Sequence, residues 1–296
     1  MKYEFMQSHV RKFSIGRMSR MLGVSRSGYY SFTKRLPSQR QQDEDKLLVK
    51  IQKVYEASRR TYGSPRIHAE LKEQGETCSR QRIARVMKKA GIMAKMTKKF
   101  KVTTKVDTQE KAAPNLLKQN FTADQPNRRW VADISYVWTV EGWLYVAAVL
   151  DLFSRRIVGL AMKERMTDDL VIAALEQALI HRSPCGDLIH HSDKGSQYTS
   201  RDFQKILNQY HITASMSGTG NCYDNAAMES FFHTLKTEHV YFERYQTREQ
   251  AKQSIFEYVE VFYNRQRRHS TLNYKSPLAF EENYKQQSAS CLLTVH

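Results

Sequence analysis

Residues 130–162, WVADISYVWTVEGWLYVAAVLDLFSRRIVGLAM, decide the fold, because they form three consecutive strand-like runs separated by short turns. Glu141-Gly142 supplies a hairpin-type turn between the first two runs. Downstream, a helix-like segment begins at Asp168. The strand-like runs, rich in Val, Ile, Tyr and Trp, occupy residues 130–137, 143–151, 155–162, 188–193 and 212–216. Three meandering strands followed by alternating helices and strands predict an α/β fold with a mixed sheet and flanking helices.

The front of the chain carries helical patterns instead of strands. In SIGRMSRMLGVSRSGYYSFTKR, residues 14–35, Gly23 supplies a turn between two helices and Ser25 can cap the second. Arg26 and Ser27 would then lie at the N-terminal end of the second helix, where base edges are usually contacted. Alternatively, the two helices form a small helical hairpin that serves packing and does not contact DNA.

A second helix-turn-helix-like pattern follows, with Ser64-Pro65 as one helix start and Ser79 as the cap of the next helix. The outward arginines of that next helix are Arg80, Arg82 and Arg85. They either lie along a DNA backbone or form a solvated face. The predicted organisation is a helix-turn-helix-like DNA-binding segment at 1–38, a second one at 39–96 and a polar, basic linker at 97–125.

Positive charge is concentrated in the front third of the chain. Residues 1–100 contain 24 Lys and Arg against 8 Asp and Glu, a net of +16 out of +17. Such a surface suits a polyanion, because neutralised phosphates release counterions; a solvated face or an anionic membrane is the alternative. The longest apolar run, 144–150, is too short to span a bilayer, and residues 1–13 lack a signal-peptide core. We therefore expect a cytoplasmic nucleic-acid-binding protein that does not enter a membrane.

Three acidic residues form the candidate catalytic site. Asp133 interrupts an apolar strand, Asp193 ends the strand-like LIHHSD, and Glu229 lies in a helix-like segment after 35 intervening residues. Two strand-borne carboxylates and a third on a helix can hold two divalent metal ions for phosphoryl transfer. Each residue also has an ordinary alternative role. Asp133 could be a buried Asp paired with Arg, Asp193 could cap a turn, and Glu229 could cap a helix.

Basic residues near this site are further candidates. Lys236 follows the candidate glutamate by two helical turns and is placed for a phosphate, or is simply solvated. Arg267 and Arg268, in the cluster RQRRH, suit a DNA backbone or place cations favourably at a helix C-terminus. His190 and His191 either position a substrate or, as we favour, pack within the sheet.

Six motifs resemble those of bacterial insertion-sequence transposases of the DDE class. They are LGVSRSGYY (22–30), YGSPRIHAEL (62–71), NRRWVADISYV (127–137), HHSDKGSQYTS (190–200), GNCYDNAAMESFFHTLKTE (220–238) and YNRQRRHSTLNYKSP (263–277). The chain is most similar to the long open-reading-frame product of two-frame insertion sequences. The resemblance implies a ribonuclease H-like, retroviral-integrase-like catalytic core with C-terminal helices over residues 126–284, followed by a tail at 285–296.

The resemblance also implies the chemistry. Asp133, Asp193 and Glu229 would form the catalytic triad that binds two Mg²⁺ ions, with Mn²⁺ as a substitute, and Lys236 would contact terminal DNA of the element. Hydrolysis would free a 3′-OH, which would then attack another phosphodiester without a covalent protein–DNA intermediate. The partners would be the terminal inverted repeats, target DNA, further copies of the chain on DNA, and the upstream-frame product as a fusion or partner.

Two other functions remain open at this point. A nuclease would use the same triad but only cut DNA, so joining of a 3′-OH to target DNA separates it from a transposase. A regulator of transposition would bind DNA through the helical front without catalysis, although the three carboxylates argue against it. In every case the protein would act on bacterial DNA and be nucleoid-associated.

Overall fold

The computed structural model of the protein describes residues 1–34, 36, 38–95, 113–184, 186–218 and 225–293. The front of this structure is helical: α1 (Lys2–His9), α2 (Ile15–Leu22), α3 (Arg26–Lys34), α4 (Gln39–Ala57), α5 (Ser64–Glu73) and α6 (Arg80–Lys89). The prediction of an all-α region ahead of the sheet is confirmed. None of the helices in the described ranges combines the length and the apolar character that a membrane span needs.

Helices α1 to α3 form a small unit with a core of its own. The buried side chains of this core are Met6, Met18 and Tyr29. Helix α2 ends at Gly23, whose left-handed φ of 62° is accessible to glycine without a steric penalty. The Ser25 hydroxyl accepts the Gly28 N–H at 2.9 Å and caps α3, as predicted. This left-handed turn between two short helices gives the helix-turn-helix-like arrangement.

Helices α4 to α6 form a second helical unit. Ser38 and Ser79 cap α4 and α6, because their hydroxyls accept the backbone N–H groups of Gln41 and Arg82 at 3.3 Å each. The buried side chains of this unit belong to the same apolar cluster as those of the sheet, and they include Leu47, Ile51, Ile67, Leu71 and Ile83. The described residues of this segment, 39–95, therefore pack directly onto the part of the chain that forms the sheet.

Five strands in the described residues form one mixed sheet: β1 (Arg129–Thr139), β2 (Gly142–Asp151), β3 (Ile157–Lys163), β4 (Ile189–Ser192) and β5 (Thr213–Met216). Their order across the sheet is β3-β2-β1-β4-β5. Strands β1, β2 and β3 are antiparallel neighbours, whereas β4 runs parallel to β1 and β5 runs parallel to β4. This is the strand arrangement of a ribonuclease H-like fold, so the predicted fold class is confirmed.

Helices cover both faces of the sheet. They are α7 (Asp168–Arg182), α8 (Ser196–Thr199), α9 (Arg201–Gln209), α10 (Ala226–Glu238), α11 (Arg248–Glu257) and α12 (Pro277–Leu293). Alternate residues of β1 point into two different hydrophobic cores. Trp130 and Ala132 belong to the apolar cluster that includes α7. Val131 and Val137 belong to the cluster that includes α10. Helix α7 lies so close to β3 that a Cβ added to Gly159 would stand 2.0 Å from a carbonyl oxygen of α7.

The end of the predicted linker already belongs to the folded core. The Ser215 hydroxyl accepts the Leu116 N–H at 2.9 Å, and Leu117 is buried. Residues 113–125 are therefore part of the structure around the sheet. The rest of the predicted linker, 97–112, lies outside the described residues.

The C-terminal part of the chain is helical for longer than predicted. Helix α11 continues directly into a π-helical turn over Tyr258–Tyr263. Helix α12 extends to Leu293 through most of the predicted tail, because no Gly or Pro interrupts the sequence there. Residues 294–296 lie outside the described residues.

Candidate active site

The strand register brings two of the predicted carboxylates to the same level of the sheet. Strands β1 and β4 run parallel, and their last pair is Val131 with His191. Asp133 and Asp193 each follow this pair by two residues, Asp133 within β1 and Asp193 directly after the end of β4. Neighbouring strands lie ~4.8 Å apart. The two carboxylates are therefore neighbours in the crevice where β1 and β4 end their pairing.

The start of α10 is fastened beside this crevice. Asn225 Nδ2 donates a hydrogen bond to the Ala132 carbonyl at 3.2 Å, next to Asp133 in the sequence. Buried apolar side chains hold the helix on the sheet, namely Met228, Phe231, Phe232 and Leu235. Glu229 lies in the first turn of this helix. Residues 219–224 of the Gly- and Asn-rich loop before it lie outside the described residues.

Asp133 is the most perturbed carboxyl of the site. It accepts a hydrogen bond from the Ile134 N–H at 2.8 Å. Burial, then the charge of Asp193 and that of Glu229, raise the pKa of Asp133 to about 7, while the Ile134 N–H and the charge of Lys236 oppose this rise. Among the described residues, no Arg or Lys forms an ion pair with Asp133. The alternative of a buried Asp held by an Arg is therefore not found in this part of the chain.

Asp193 and Glu229 complete the acidic group. Burial raises the pKa of both carboxyls, and the Gly195 N–H, 3.0 Å from Asp193 Oδ1, opposes the rise at Asp193. The charge of Asp193 is among the causes that raise the pKa of Asp133, so the two carboxyls are electrostatically coupled. Within the described ranges, no three His, Cys, Asp or Glu side chains stand at metal-ligand spacing. The carboxylates are thus electrostatic neighbours without forming a closed ligand set.

Lys236 lies at the border of this acidic group. Its Nζ stands 4.8 Å from the ring centroid of Tyr136, and its charge stabilises ionised Asp133. Burial lowers the pKa of Lys236, and the charge of Asp133 opposes this change. The predicted basic neighbour of the triad is therefore positioned by a tyrosine that we did not single out from the sequence.

Tyr198 is a second residue that the sequence did not reveal. It lies in the short helix α8 and is almost fully buried, yet its hydroxyl has no hydrogen-bond partner among the described residues. Burial and the charges of Asp133 and Asp193 raise the pKa of Tyr198 well above its usual value. Its hydroxyl is therefore a buried donor close to two of the carboxylates. The motif HHSDKGSQYTS is the signal that could have drawn attention to it.

His190 and His191 pack inside the protein, as we predict from the sequence. The ring of His190 contacts that of Phe203, with centroids 5.4 Å apart, and burial lowers the pKa of His190 to about 3. His191 Nδ1 is 2.8 Å from the Ser215 hydroxyl. Both rings are buried on β4 and support the strand that carries Asp193.

Known proteins match the chain along nearly its whole length. The family described as Integrase core domain matches residues 123–222 and 229–285, and an HTH-like domain matches residues 42–100. The protein named Transposase InsF for insertion sequence IS3A, from Escherichia coli (strain K12), is 41% identical over 95% of this chain and 98% of its own. The chain belongs to the IS3 family of insertion-sequence transposases. The Insertion element IS600 uncharacterized 31 kDa protein of Shigella sonnei is 47% identical over 92% of the transposase and 100% of its own length.

Solved structures of viral integrases resemble the transposase more distantly. The HTLV-2 integrase catalytic core domain in complex with magnesium is 17% identical with a TM-score of 0.43, covering 53% of the transposase and 98% of that chain. The simian T-cell lymphotropic virus intasome in complex with PP2A regulatory subunit B56 gamma is 15% identical with a TM-score of 0.47, covering 77% and 73%. The fold assignment rests on the strand order and the family match.

The transposase exposes the residues that we predict to meet base edges. Arg26 and Ser27 are both exposed at the start of α3. The guanidinium carbon of Arg26 lies 3.5 Å from the point where a Cβ on Gly16 would stand, so this side chain lies against α2. Contact of either residue with DNA stays a prediction.

The predicted backbone-contacting arginines lie on α6. Arg80 and Arg85 are exposed, while Arg82 is partly buried. Glu44 of α4 faces this helix, where it pairs with Lys89 at 3.3 Å and interacts with the charge of Arg85. The basic surface of α6 is therefore partly neutralised at its border with α4.

Arg267 and Arg268 have a different role from the predicted one. Arg267 is 4% exposed, and its Nη2 and Nε contact the two carboxylate oxygens of Glu238 at 2.6 and 2.7 Å. Arg268 binds Glu70 at 2.6 Å and also pairs with Glu73, both on α5. The charges of these arginines are satisfied inside the protein instead of being presented to a DNA backbone. Arg267 binds the end of α10, and Arg268 joins its segment to α5.

Proposed function

We propose that the transposase catalyses metal-dependent cleavage at the 3′ ends of its element and transfer of those ends to target DNA, with no covalent protein–DNA intermediate. The main support for this proposal is the register of β1 and β4. Asp133 and Asp193 each follow the last residue pair of these strands by two positions, beside the helix that carries Glu229. Burial, and then the charges of Asp193 and Glu229, raise the pKa of Asp133, so the charges of the three carboxylates work against one another.

The chemistry of the three carboxylates fits two divalent ions. Mg²⁺ prefers carboxylate oxygens and water, and Mn²⁺ accepts the same ligands. Asp133, Asp193 and Glu229 would hold the ions, because their mutual repulsion has no Arg or Lys ion pair to offset it among the described residues. Ions held by these three carboxylates would supply activation of the attacking oxygen and stabilisation of the leaving oxygen. Each carboxylate would contribute oxygen ligands in its ionised form, and no protein side chain is required as general base.

Positively charged residues of the transposase would hold the DNA around this site. Lys236 would bind a phosphate near the cleaved bond, since its ammonium stands 4.8 Å from the Tyr136 ring and its charge acts on Asp133. Arg26 and Ser27 would contact base edges of the terminal repeat. The backbone contacts would come from Arg80, Arg82 and Arg85. These contacts would set the register of the element end, whereas the carboxylates carry the reaction.

The proposed reaction requires several copies of the chain to assemble on DNA. Two element ends must be held together before both are joined to one target, so the working form would be a homo-oligomer on DNA. The upstream-frame product, as a fusion or a partner, would supply further contacts. The substrate class is therefore the terminal inverted repeats together with target DNA.

The experiment is a strand-transfer assay on labelled DNA that ends in the inverted repeat of the flanking element, with Mg²⁺. Wild type is compared with Glu229→Gln and with Glu176→Gln, an exposed glutamate of α7 that controls for loss of one charge. Joined products from wild type and Glu176→Gln, but not from Glu229→Gln, are expected. Cleavage without joining would favour a nuclease, binding alone would favour a regulator, and full activity of Glu229→Gln would reject the triad.

A further inference from the structure

Three exposed aromatic side chains lie together on the hairpin formed by β1 and β2. Tyr136, Trp138 and Trp143 are 49%, 59% and 43% exposed. Trp143 contacts both others edge to face, with ring centroids 5.0 Å from Tyr136 and 4.8 Å from Trp138. We call these three residues the hairpin aromatic surface. Large apolar groups grouped on a surface in this way usually mark a binding site.

The hairpin that carries this surface is held firmly. Its turn is bound to the segment before α11, because the Val140 N–H donates to the Tyr245 carbonyl at 3.1 Å. The backbone N–H of Arg248 donates to Glu141 at 2.8 Å, and Arg248 Nε donates to the Trp143 carbonyl at 3.1 Å. The aromatic rings are therefore presented on a fixed scaffold, which lowers the entropic cost of binding.

The surface borders the proposed catalytic site across the part of β1 that lies beyond its pairing with β4. Tyr136 follows Asp133 by three residues, ~10 Å along β1, so the two side chains leave opposite faces of the strand. Lys236 joins the two, because its Nζ stands 4.8 Å from the Tyr136 ring and its charge acts on Asp133. A ligand that reaches from the carboxylates to the aromatic rings would thus meet an ammonium group on the way.

We propose that the hairpin aromatic surface stacks nucleobases of an unpaired DNA strand that leaves the active site. Aromatic faces bind bases of any sequence, and a nearby cation binds the backbone phosphate, which is the combination that single-stranded nucleic acid requires. A protein partner would use the aromatic rings but has no equivalent use for Lys236 at their border. This inference rests on the proposed function, because it places the DNA end at Asp133, Asp193 and Glu229.

The test compares two DNA probes of equal length, a fully paired duplex and a duplex with a short non-complementary end, in EDTA so that neither is cut. Anisotropy gives the affinities of the full chain. Trp138→Ala should weaken binding of the forked duplex by about tenfold or more, since stacking on one base is worth that much, and leave the paired duplex within about twofold. Trp138→Phe should retain most of the preference. Tyr210→Ala, which removes an aromatic that is 52% exposed elsewhere, should change neither.

Tryptophan fluorescence gives a second readout. The chain has three tryptophans, and Trp130 is fully buried, so quenching by the forked duplex would report on Trp138 and Trp143. Equal affinity of wild type for both probes, or equal losses on both in Trp138→Ala, would overturn the proposal. A smaller assembly of Trp138→Ala in size-exclusion chromatography, with its fork preference intact, would overturn it in favour of contact with a second copy of the chain. All of these outcomes are independent of strand transfer, so failure of the catalytic proposal is seen separately.

Discussion

Replacing Asp133 with Asn should stabilise the metal-free protein, although the same change should abolish DNA joining. The carboxyl of Asp133 has a pKa of about 7 in the folded chain, against an ordinary value of 3.8, because it is buried next to Asp193 and Glu229. A carboxyl whose pKa is raised on folding destabilises the native state once pH exceeds the unfolded value, and the penalty is complete above the folded value. Asn keeps the shape of the side chain and an acceptor for the Ile134 N–H, and it removes the charge.

The two pKa values set the size of the effect. A change from 3.8 to about 7 corresponds to a penalty of about 4 kcal/mol at pH 8 and about 2 kcal/mol at pH 5, where folded Asp133 is still protonated. Asp133 is only partly buried as a residue, so solvent screening makes both figures upper limits. We therefore expect Asp133→Asn to gain more stability at pH 8 than at pH 5, by up to about 2 kcal/mol.

Urea unfolding in EDTA at the two pH values measures this difference. Asp124→Asn is the control, because Asp124 is exposed and its replacement removes the same charge without relieving burial. A variant that is less stable than wild type, or that gains equally at both pH values, would refute the reasoning. Adding Mg²⁺ at pH 8 should then stabilise wild type more than Asp133→Asn, since the variant lacks one proposed ligand.

Further changes test other contacts. Arg267→Ala should cost about 3 kcal/mol, because the buried Glu238 loses its two-bond partner and keeps only Arg66 and the Tyr258 hydroxyl; thermal unfolding measures this, and an unchanged midpoint would contradict a structural role. Gly159→Ala should cost about 1–3 kcal/mol, since its Cβ would stand 2.0 Å from the Ala174 carbonyl oxygen; an unchanged urea midpoint would mean that α7 can move away. Lys236→Ala should weaken DNA binding and lower the salt slope by about 1 in an anisotropy titration; an unaltered slope would show that Lys236 meets no phosphate.

The strands and the placement of two carboxylates could be predicted from sequence because they depend on local signals. Val, Ile, Tyr and Trp mark β1 to β3, and Glu141-Gly142 marks the hairpin turn. Asp133 and Asp193 stand out as carboxylates in or at the end of apolar runs. Their alignment, however, depends on the pairing of Val131 with His191, which joins segments about sixty residues apart and follows only from the sheet.

The parts that the sequence did not reveal depend on contacts between distant segments. A cluster such as RQRRH has the same appearance whether its charges face solvent or carboxylates, and Glu238, Glu70 and Glu73 lie far from it in the chain. The position of Tyr198 also depends on such contacts, because its burial next to Asp133 and Asp193 arises from packing of α8 against the sheet. Residues that look like surface DNA contacts in the sequence are buried contacts in the structure. Their burial depends on the whole fold and not on the local sequence.

Glu238 has a consequence for how such proteins can be recombined. It is the last residue of α10, the helix that carries Glu229 in its first turn, and its carboxylate pairs with Arg267 and with Arg66 of α5. A chimaera that takes residues 39–95 from one relative and the sheet from another would separate these partners within a shared interior. Residues 1–34, with a small core of their own, are the piece that can be exchanged intact. An exchange of residues 1–34 would therefore leave the ion pairs of Glu238 in place, whereas an exchange of residues 39–95 would have to keep Arg66 matched to Glu238.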